Sequence, residues 1–546
     1  MILALRLVQN LLRLPFLPLY WLSRLVARPR AGWLRLKLRS RVLDIDPPQS
    51  PLEALLDRFS PPRHTSIEKL RRLAAHIGTD EQLEGILIEL PPLRAGWATL
   101  ASLREVIEGI RERGKKVVVY LPDGGSHREL YVAAAAERLL LGPEATLMFL
   151  GLSLEQRYYK GLLDKLGIGV QPIAQGDYKS AGENLARESM SEPQREQLTA
   201  LLHTIDGELR AALEARPDLD EAKVRELHQR AFIRTKDAVE IGLADGAAYE
   251  DELPRAVARF ADGDDNTVRF IGAGKYFAFR EGRFFRRVLK KPYVAVVSMH
   301  GPIVPSAFGA MSAVVDPKSV AARIRSARRD RYAVGVVLHI DSGGGSALAS
   351  DQIYREVVRL KEKKPVVAYL ANIAASGGYY IAAPADAIIA QPLTITGSIG
   401  VVATRFGARQ LLEALGVNTE VIRSAPHADM FSPARELSDE ELAILDRETA
   451  GFYETFLRIV ADGRSRSVDE IRAVAGGRVW SGRDAVEQGL VDRLGSFGSA
   501  VDELLERAEV PTAIRRRIEC RPPRVGRGEV PPPEPMEEAA AAAALG

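Results

Sequence analysis

Apolar positions along this chain follow two rhythms in alternation. Residues 33–39 (WLRLKLR) switch between apolar and polar with the period of two that a strand requires. Residues 85–90 (GILIEL) and 117–121 (VVVYL) are short apolar runs, the pattern of strands buried on both faces. Helical spacing runs through 103–113, a small-residue helix covers 131–137, a strand-like run stands at 170–175, and long helical stretches span 192–213 and 220–229. The alternation restarts at 294–299 (VAVVSM) with a helix over 316–328, a strand over 335–340, a helix over 349–362 and a strand over 366–370. Such a succession predicts an α/β protein built of βαβ units with mainly parallel sheets.

The restart is an internal repeat. Residues 117–151 align without a gap on residues 366–400, an offset of 249, and GGRVWSGRDAVEQGLVDRLGSF (476–497) parallels AFIRTKDAVEIGLADGAAY (231–249). A chain of 546 residues is too long for one core, and duplication divides it into domains of ordinary size. The expected organisation is an apolar segment 1–30, an N-terminal domain 33–261, a connector 262–291, a C-terminal domain 292–509 and a tail 511–546. The tail is rich in Arg, Pro, Glu and Ala and is expected to be disordered. Residues 47–64 are proline-rich and read as a connection.

Bulk composition narrows the function classes. The 75 basic and 72 acidic side chains nearly cancel, so no nucleic-acid footprint is expected. The single cysteine, Cys520, excludes an internal disulfide framework and a cysteine metal cluster. The stretch 7–23 (LVQNLLRLPFLPLYWLS) is strongly apolar but broken by Arg13 and two prolines, shorter than the roughly 20 apolar residues of a spanning helix. Tyr20, Trp21 and the surrounding arginines suit a membrane interface. A cleaved signal peptide or an arm docked on a partner subunit are the alternatives.

The two copies differ where chemistry is expected. The second has Ser376 between Ala374-Ala375 and Gly377-Gly378; the first has His127 there. The first carries Lys179 in QGDYKSAGEN, whereas the matching SAPHADMFSP has no lysine. Complementary loss predicts one composite site per pair of domains. Ser376 follows a predicted strand and opens a small-residue helix, where unpaired N–H groups and the helix dipole favour negative charge. Alone, it also reads as an N-cap serine. A second glycine turn, Ser342-Gly343-Gly344-Gly345, follows the strand at 335–340, so the N–H groups of Gly344 and Gly377 are candidates for one oxyanion site. Of eight histidines only His427 follows Ser376, in a loop with no evident orienting partner. Lys179 is the better base. That role requires burial to lower its pKa from about 10.4 towards 7.

These segments resemble the long, tandem-domain form of signal peptide peptidase A (protease IV), peptidase family S49. The resemblance runs from about residue 38 to 508 and rests on VVSMHGPIV (296–304), DSGGGSALAS (341–350), AASGGYYIAAPAD (374–386), TGSIGV (396–401) and GDYKSAGE (176–183). It implies two tandem Clp-protease/crotonase-like domains and a serine/lysine dyad in which Ser376 is nucleophile, Lys179 general base and Ser398 the serine that holds the lysine amine. It further implies a membrane-associated endopeptidase that degrades cleaved signal peptides and other extended apolar peptides, with no metal or organic cofactor. Homotetramers and a bacterial inner-membrane location with periplasmic catalytic domains are implied as well. The family's usual Ser-Pro-Gly-Gly turn is Ser-Gly-Gly-Gly here. A crotonase-type acyl-CoA enzyme and a non-catalytic membrane scaffold are the rival readings.

Overall fold

The computed structural model describes residues 2–26, 32–47, 63–262, 266–282, 284–285, 291–306, 314–515 and 518–525. They form two compact units, one of Met1–Leu152, Ile205–Tyr293 and Ser496–Gly498, the other of Ser153–Thr204, Val294–Gly495 and Ser499–Gly546. The expected contiguous division at 262–291 is therefore not how the chain packs: the Ser153–Thr204 stretch, taken with the N-terminal domain from sequence, belongs to the second unit. The reason lies in one antiparallel ribbon, described below.

The first unit is built on a parallel six-stranded sheet in the order Gly246–Ala247, Arg138–Leu141, Lys116–Leu121, Gly85–Glu89, Trp33–Lys37, Phe270–Gly272. Its central strands are buried on both faces, as their unbroken apolar runs predict. The supposed connector supplies the edge strand Phe270–Gly272 and the helix Ala273–Glu281. Polar contacts pin that helix: the Tyr276 hydroxyl donates to Asp80 Oδ2 at 2.9 Å and Arg280 pairs with the same oxygen.

The second unit holds an eight-stranded sheet whose main path runs Val479–Ser481, Ile395–Gly397, Val366–Ala375, Ala333–Ser342, Tyr293–His300, Glu519–Arg521. The last strand and the short helix Thr512–Arg515 come from the tail expected to be disordered; residues 526–546 lie outside the described residues. Hydrogen bonding to the exposed edge of Tyr293–His300 orders this piece despite its polar composition. The connection at 47–64 lies mostly outside the described residues.

Strand Val366–Ala375 decides where the site forms. Its first half pairs in parallel with Ala387–Ala390 and its second half with Ile395–Gly397, so the sheet forks and opens at its C-terminal end. The helix Gly377–Ala382 follows at once and is entirely buried, which its Gly-Gly-Tyr-Tyr-Ile-Ala sequence of small and apolar residues permits. Helix Asp439–Arg464 starts with a Ser438/Glu441 capping box and lies over this region. Near its end, Gly463 faces the carbonyl of Ala383 so closely that a β-carbon would stand 2.1 Å from that oxygen. In an unobstructed helix Gly→Ala gains about 1 kcal/mol. Here the clash outweighs that gain, and Gly463→Ala is expected to lower the thermal unfolding midpoint by several degrees; a raised midpoint in calorimetry would contradict the close approach.

Candidate active site

One antiparallel ribbon assembles the site. Gly169–Gln175 pairs with Val401–Gly407, with Gln175 opposite Val401, although more than 220 residues separate them in sequence. Lys179 lies four residues past the end of one ribbon strand, and Ser398 three before the start of the other. Ser376 meets them from the sheet. Ala375 is the register partner of Gly397, and the N–H of Ser376 donates to the Gly397 carbonyl at 2.8 Å. Both serines have left-handed φ values of 52°, uncommon for residues with a β-carbon and costing about 1–3 kcal/mol when the ψ is also unfavourable, as the −122° of Ser376 is. The surrounding hydrogen bonds hold that conformation and present the hydroxyl.

Lys179 is buried, 7 % exposed. Its Nζ stands 3.1 Å from Ser376 Oγ, 2.9 Å from Ser398 Oγ and 2.9 Å from the Ser398 carbonyl oxygen. Desolvation alone lowers its pKa, to about 8. A neutral amine has two N–H donors and one lone pair. The two oxygens of Ser398 take the donors, which leaves the lone pair to accept the Ser376 proton. His427, the rival base, bonds instead to Glu441 at 3.5 Å.

The lysine turn is clamped by residues that the sequence reading passed over. Tyr178 N–H donates to the Gly476 carbonyl at 2.9 Å, and a β-carbon on Gly477 would stand 2.5 Å from Lys179 Cβ. Buried Gln197 spans the same junction: its Nε2 donates to the Tyr178 carbonyl at 3.1 Å and its Oε1 accepts from Val479 N–H at 3.0 Å. Arg478 pairs with Glu196 at 2.7 Å and stacks on Tyr178 and Trp480. The signal was present: in the repeat, Gly476-Gly477 replaces Gln229-Arg230 of the first copy.

The two glycine turns lie together, with a β-carbon on Gly344 falling 2.7 Å from the nitrogen of Gly377. Gly377 opens its helix, so its N–H has no intrahelical acceptor. The Gly344 N–H, by contrast, donates to Ser342 Oγ at 3.2 Å. Beside Ser376 lies a cavity of about 250 Å³ with a mainly apolar wall that includes Tyr380, Val401, Val402, Phe452 and Phe456. A second cavity, about 280 Å³ and walled by Arg405 and Arg435, touches none of the three site residues.

Comparison with known proteins bears on this arrangement. The family model for peptidase family S49 matches twice, over residues 110–262 and 358–511, one match on each copy of the repeat. The chain belongs to peptidase family S49. It is 32 % identical over 441 residues to "Serine protease SPPA, chloroplastic" of Arabidopsis thaliana, covering 79 % of this chain and 64 % of that protein. It is 30 % identical to "Protease 4" of Salmonella typhi over 453 residues, with 79 % of this chain and 70 % of that one covered. A "Protease 4" of Haemophilus influenzae is likewise 30 % identical, over 438 residues, 78 % of this chain and 70 % of that protein. The chain thus spans about two thirds of the length of these S49 relatives.

In the first S49 copy an aromatic stack occupies the corresponding point. His127 is buried, stacks on Phe149 at 4.5 Å, and Phe149 in turn packs on His228 at 4.5 Å. Burial and the neighbouring His228 push the His127 pKa down.

Two expectations follow. The ordinary lysine pKa of 10.5 falls to about 8 in the fold, so the unfolded chain holds the extra proton between those values and native stability rises with pH across that window. Relative to Lys179→Met, the wild type is expected to gain up to about 3 kcal/mol between pH 8 and 10.5 in denaturant titrations. Equal pH dependence of the two proteins would contradict a depressed lysine. Secondly, Gly343 lies outside the left-handed region and a β-carbon there has no neighbour closer than 4.0 Å, whereas one on Gly345 would stand 2.1 Å from the Ile303 carbonyl oxygen. Gly343→Ala is therefore expected to stabilise by about 0.4–1 kcal/mol, while Gly345→Ala destabilises, both read by thermal unfolding.

Proposed function

We propose that this chain is a membrane-associated serine endopeptidase working through a Ser376/Lys179 dyad. The observation that carries the reading is an amine without an anionic partner among its hydrogen bonds, buried and directed at a hydroxyl 3.1 Å away. Ser376 Oγ attacks the carbonyl carbon of the scissile peptide as its proton passes to the lone pair of Lys179 Nζ. The carbonyl oxygen becomes an oxyanion beside the helix N-terminus, where Gly377 N–H donates to it. Gly344 N–H exchanges its neutral acceptor, Ser342 Oγ, for the charged one, because hydrogen bonds to an anion are about twice as strong. Collapse breaks the C–N bond, the lysine ammonium protonates the leaving amine, and an ester to Ser376 remains. Lys179 then deprotonates a water that attacks the ester, releasing the carboxylate product and restoring the serine hydroxyl. Ser398 keeps the amine in place throughout.

The apolar wall of the adjoining cavity suits an aliphatic side chain of the substrate. Extended apolar peptides such as the remnants of cleaved signal peptides fit that chemistry, and the family resemblance supports them. Assembly as a homotetramer on the bacterial inner membrane, with periplasmic catalytic domains, is proposed on the same resemblance. A fluorophosphonate probe is expected to label the wild type, with labelling rising through an apparent pKa near 8, and to leave Ser376→Ala and Lys179→Ala unlabelled. Peptidase activity falls at least about a thousandfold in both. Labelling that persists without Lys179 defeats the dyad; a folded wild type that neither labels nor cleaves apolar peptides points to a scaffold.

A further inference from the structure

The N-terminal segment is folded inside out. Helices Ile2–Leu11 and Leu17–Val26 are joined by a 3₁₀ turn at Leu14–Phe16. Leu11, Leu12, Phe16, Leu19, Trp21 and Leu22 are each 61–70 % exposed, whereas Arg13, Tyr20 and Arg24 turn towards the protein. Those polar residues recur at helical spacing and have built partners. Arg13 Nη1 donates to the Phe284 carbonyl at 2.6 Å. Arg24 donates to the carbonyls of Phe279 at 2.9 Å and Gly282 at 3.0 Å, and its guanidinium lies 4.2 Å from the Phe279 ring centroid. It thereby caps the C-terminal end of helix Ala273–Glu281, where a cation is favoured. The Tyr20 ring packs on Phe284, which in turn packs on Phe285. All of these residues belong to the first compact unit.

A water-facing helix would present the opposite polarity. We infer that this face is an in-plane membrane anchor: the two helices lie along the bilayer surface, with the leucines, Phe16 and Trp21 in the acyl boundary and the arginines against the protein. Each helix has ten residues, about 15 Å of length and half the hydrocarbon thickness, and among the described residues no helix is long and apolar enough to cross a membrane. The polar stripe runs from the turn at Arg13 along the second helix, and its docking on the carbonyls of Phe279, Gly282 and Phe284 ties the segment to the folded unit. The charge of the flanking sequence selects an anionic surface. Apart from the docked Arg24 and the ion-paired Arg35 and Lys37, residues 24–41 carry Arg28, Arg30, Arg39 and Arg41 and no acidic side chain, and beyond the paired Arg280 residues 281–291 carry five basic side chains and one acidic. Tyr20 and Trp21 add the aromatic pair favoured at headgroup depth.

This deepens the membrane-association reading and does not involve Ser376 or Lys179. The test uses the full chain and vesicles of phosphatidylethanolamine with phosphatidylglycerol, against pure phosphatidylcholine. The wild type is expected to float with the anionic vesicles, at least fivefold more than with the zwitterionic ones, and to be released by alkaline carbonate. Leu19→Glu/Leu22→Glu, at exposed positions, is expected to lose at least tenfold of vesicle binding while fluorophosphonate labelling stays unchanged. Emission of Trp21, isolated as the difference from Trp21→Leu, is expected to be quenched more by lipids brominated near the headgroup than near the chain ends. Resistance to carbonate or deep quenching would mean a spanning segment and overturns the proposal. So does equal flotation of the glutamate variant, or a variant that floats normally but changes its oligomeric mass, which would assign the face to a second copy. Loss of labelling in the wild type would sink the peptidase reading and leave the anchor standing.

Discussion

Burying one lysine amine without a counter-charge is the constraint around which the second unit is organised. A charged amine at that place would have to leave water for a site offering only two serine hydroxyls and a carbonyl. Desolvation therefore favours the neutral form, and the same three oxygens that cannot compensate a full charge orient the remaining lone pair. A carboxylate beside Lys179 would favour the charged form instead. The site depends on what is kept away from the nitrogen as much as on what touches it.

Bringing that amine to the serine takes unusual backbone economy. The ribbon between Gly169–Gln175 and Val401–Gly407 fixes both approaches at once, because Lys179 and Ser398 leave its same end. Glycines at 176, 476 and 477 let the lysine turn and the loop before Val479–Ser481 touch backbone to backbone. The forked strand Val366–Ala375 supplies the third approach, and its bifurcation is what leaves room for a cavity at Ser376. A β-carbon on Gly176 would stand 2.3 Å from the carbonyl carbon of Gly476 and one on Gly477 2.5 Å from Lys179 Cβ, so both glycines set how closely the lysine turn packs.

Duplication leaves a contrast inside one chain. The first copy retains the parallel sheet but fills the place of the serine with a stack of His127, Phe149 and His228. The first unit also carries the N-terminal helices, whose apolar face is turned outward.

Hydrophobic periodicity determined the α/β character, the parallel sheets and nearly every central strand, because runs such as 117–121 and 335–340 have only one way to satisfy both faces. The repeat and its complementary losses singled out Ser376 and Lys179, since a residue kept in one copy and dropped from the other is visible without coordinates. What periodicity could not carry is pairing between distant segments. The stretch 153–204 joins the second unit through backbone hydrogen bonds to Val401–Gly407, and such bonds leave no mark on side-chain pattern. For the same reason the strands Phe270–Gly272 and Glu519–Arg521, in polar stretches read as connector and tail, were decided by sheet edges that accept any backbone. The lysine pKa, the Gly476-Gly477 cradle and the occupied Gly344 N–H are likewise tertiary facts, because desolvation and close approach exist only once remote residues surround a group.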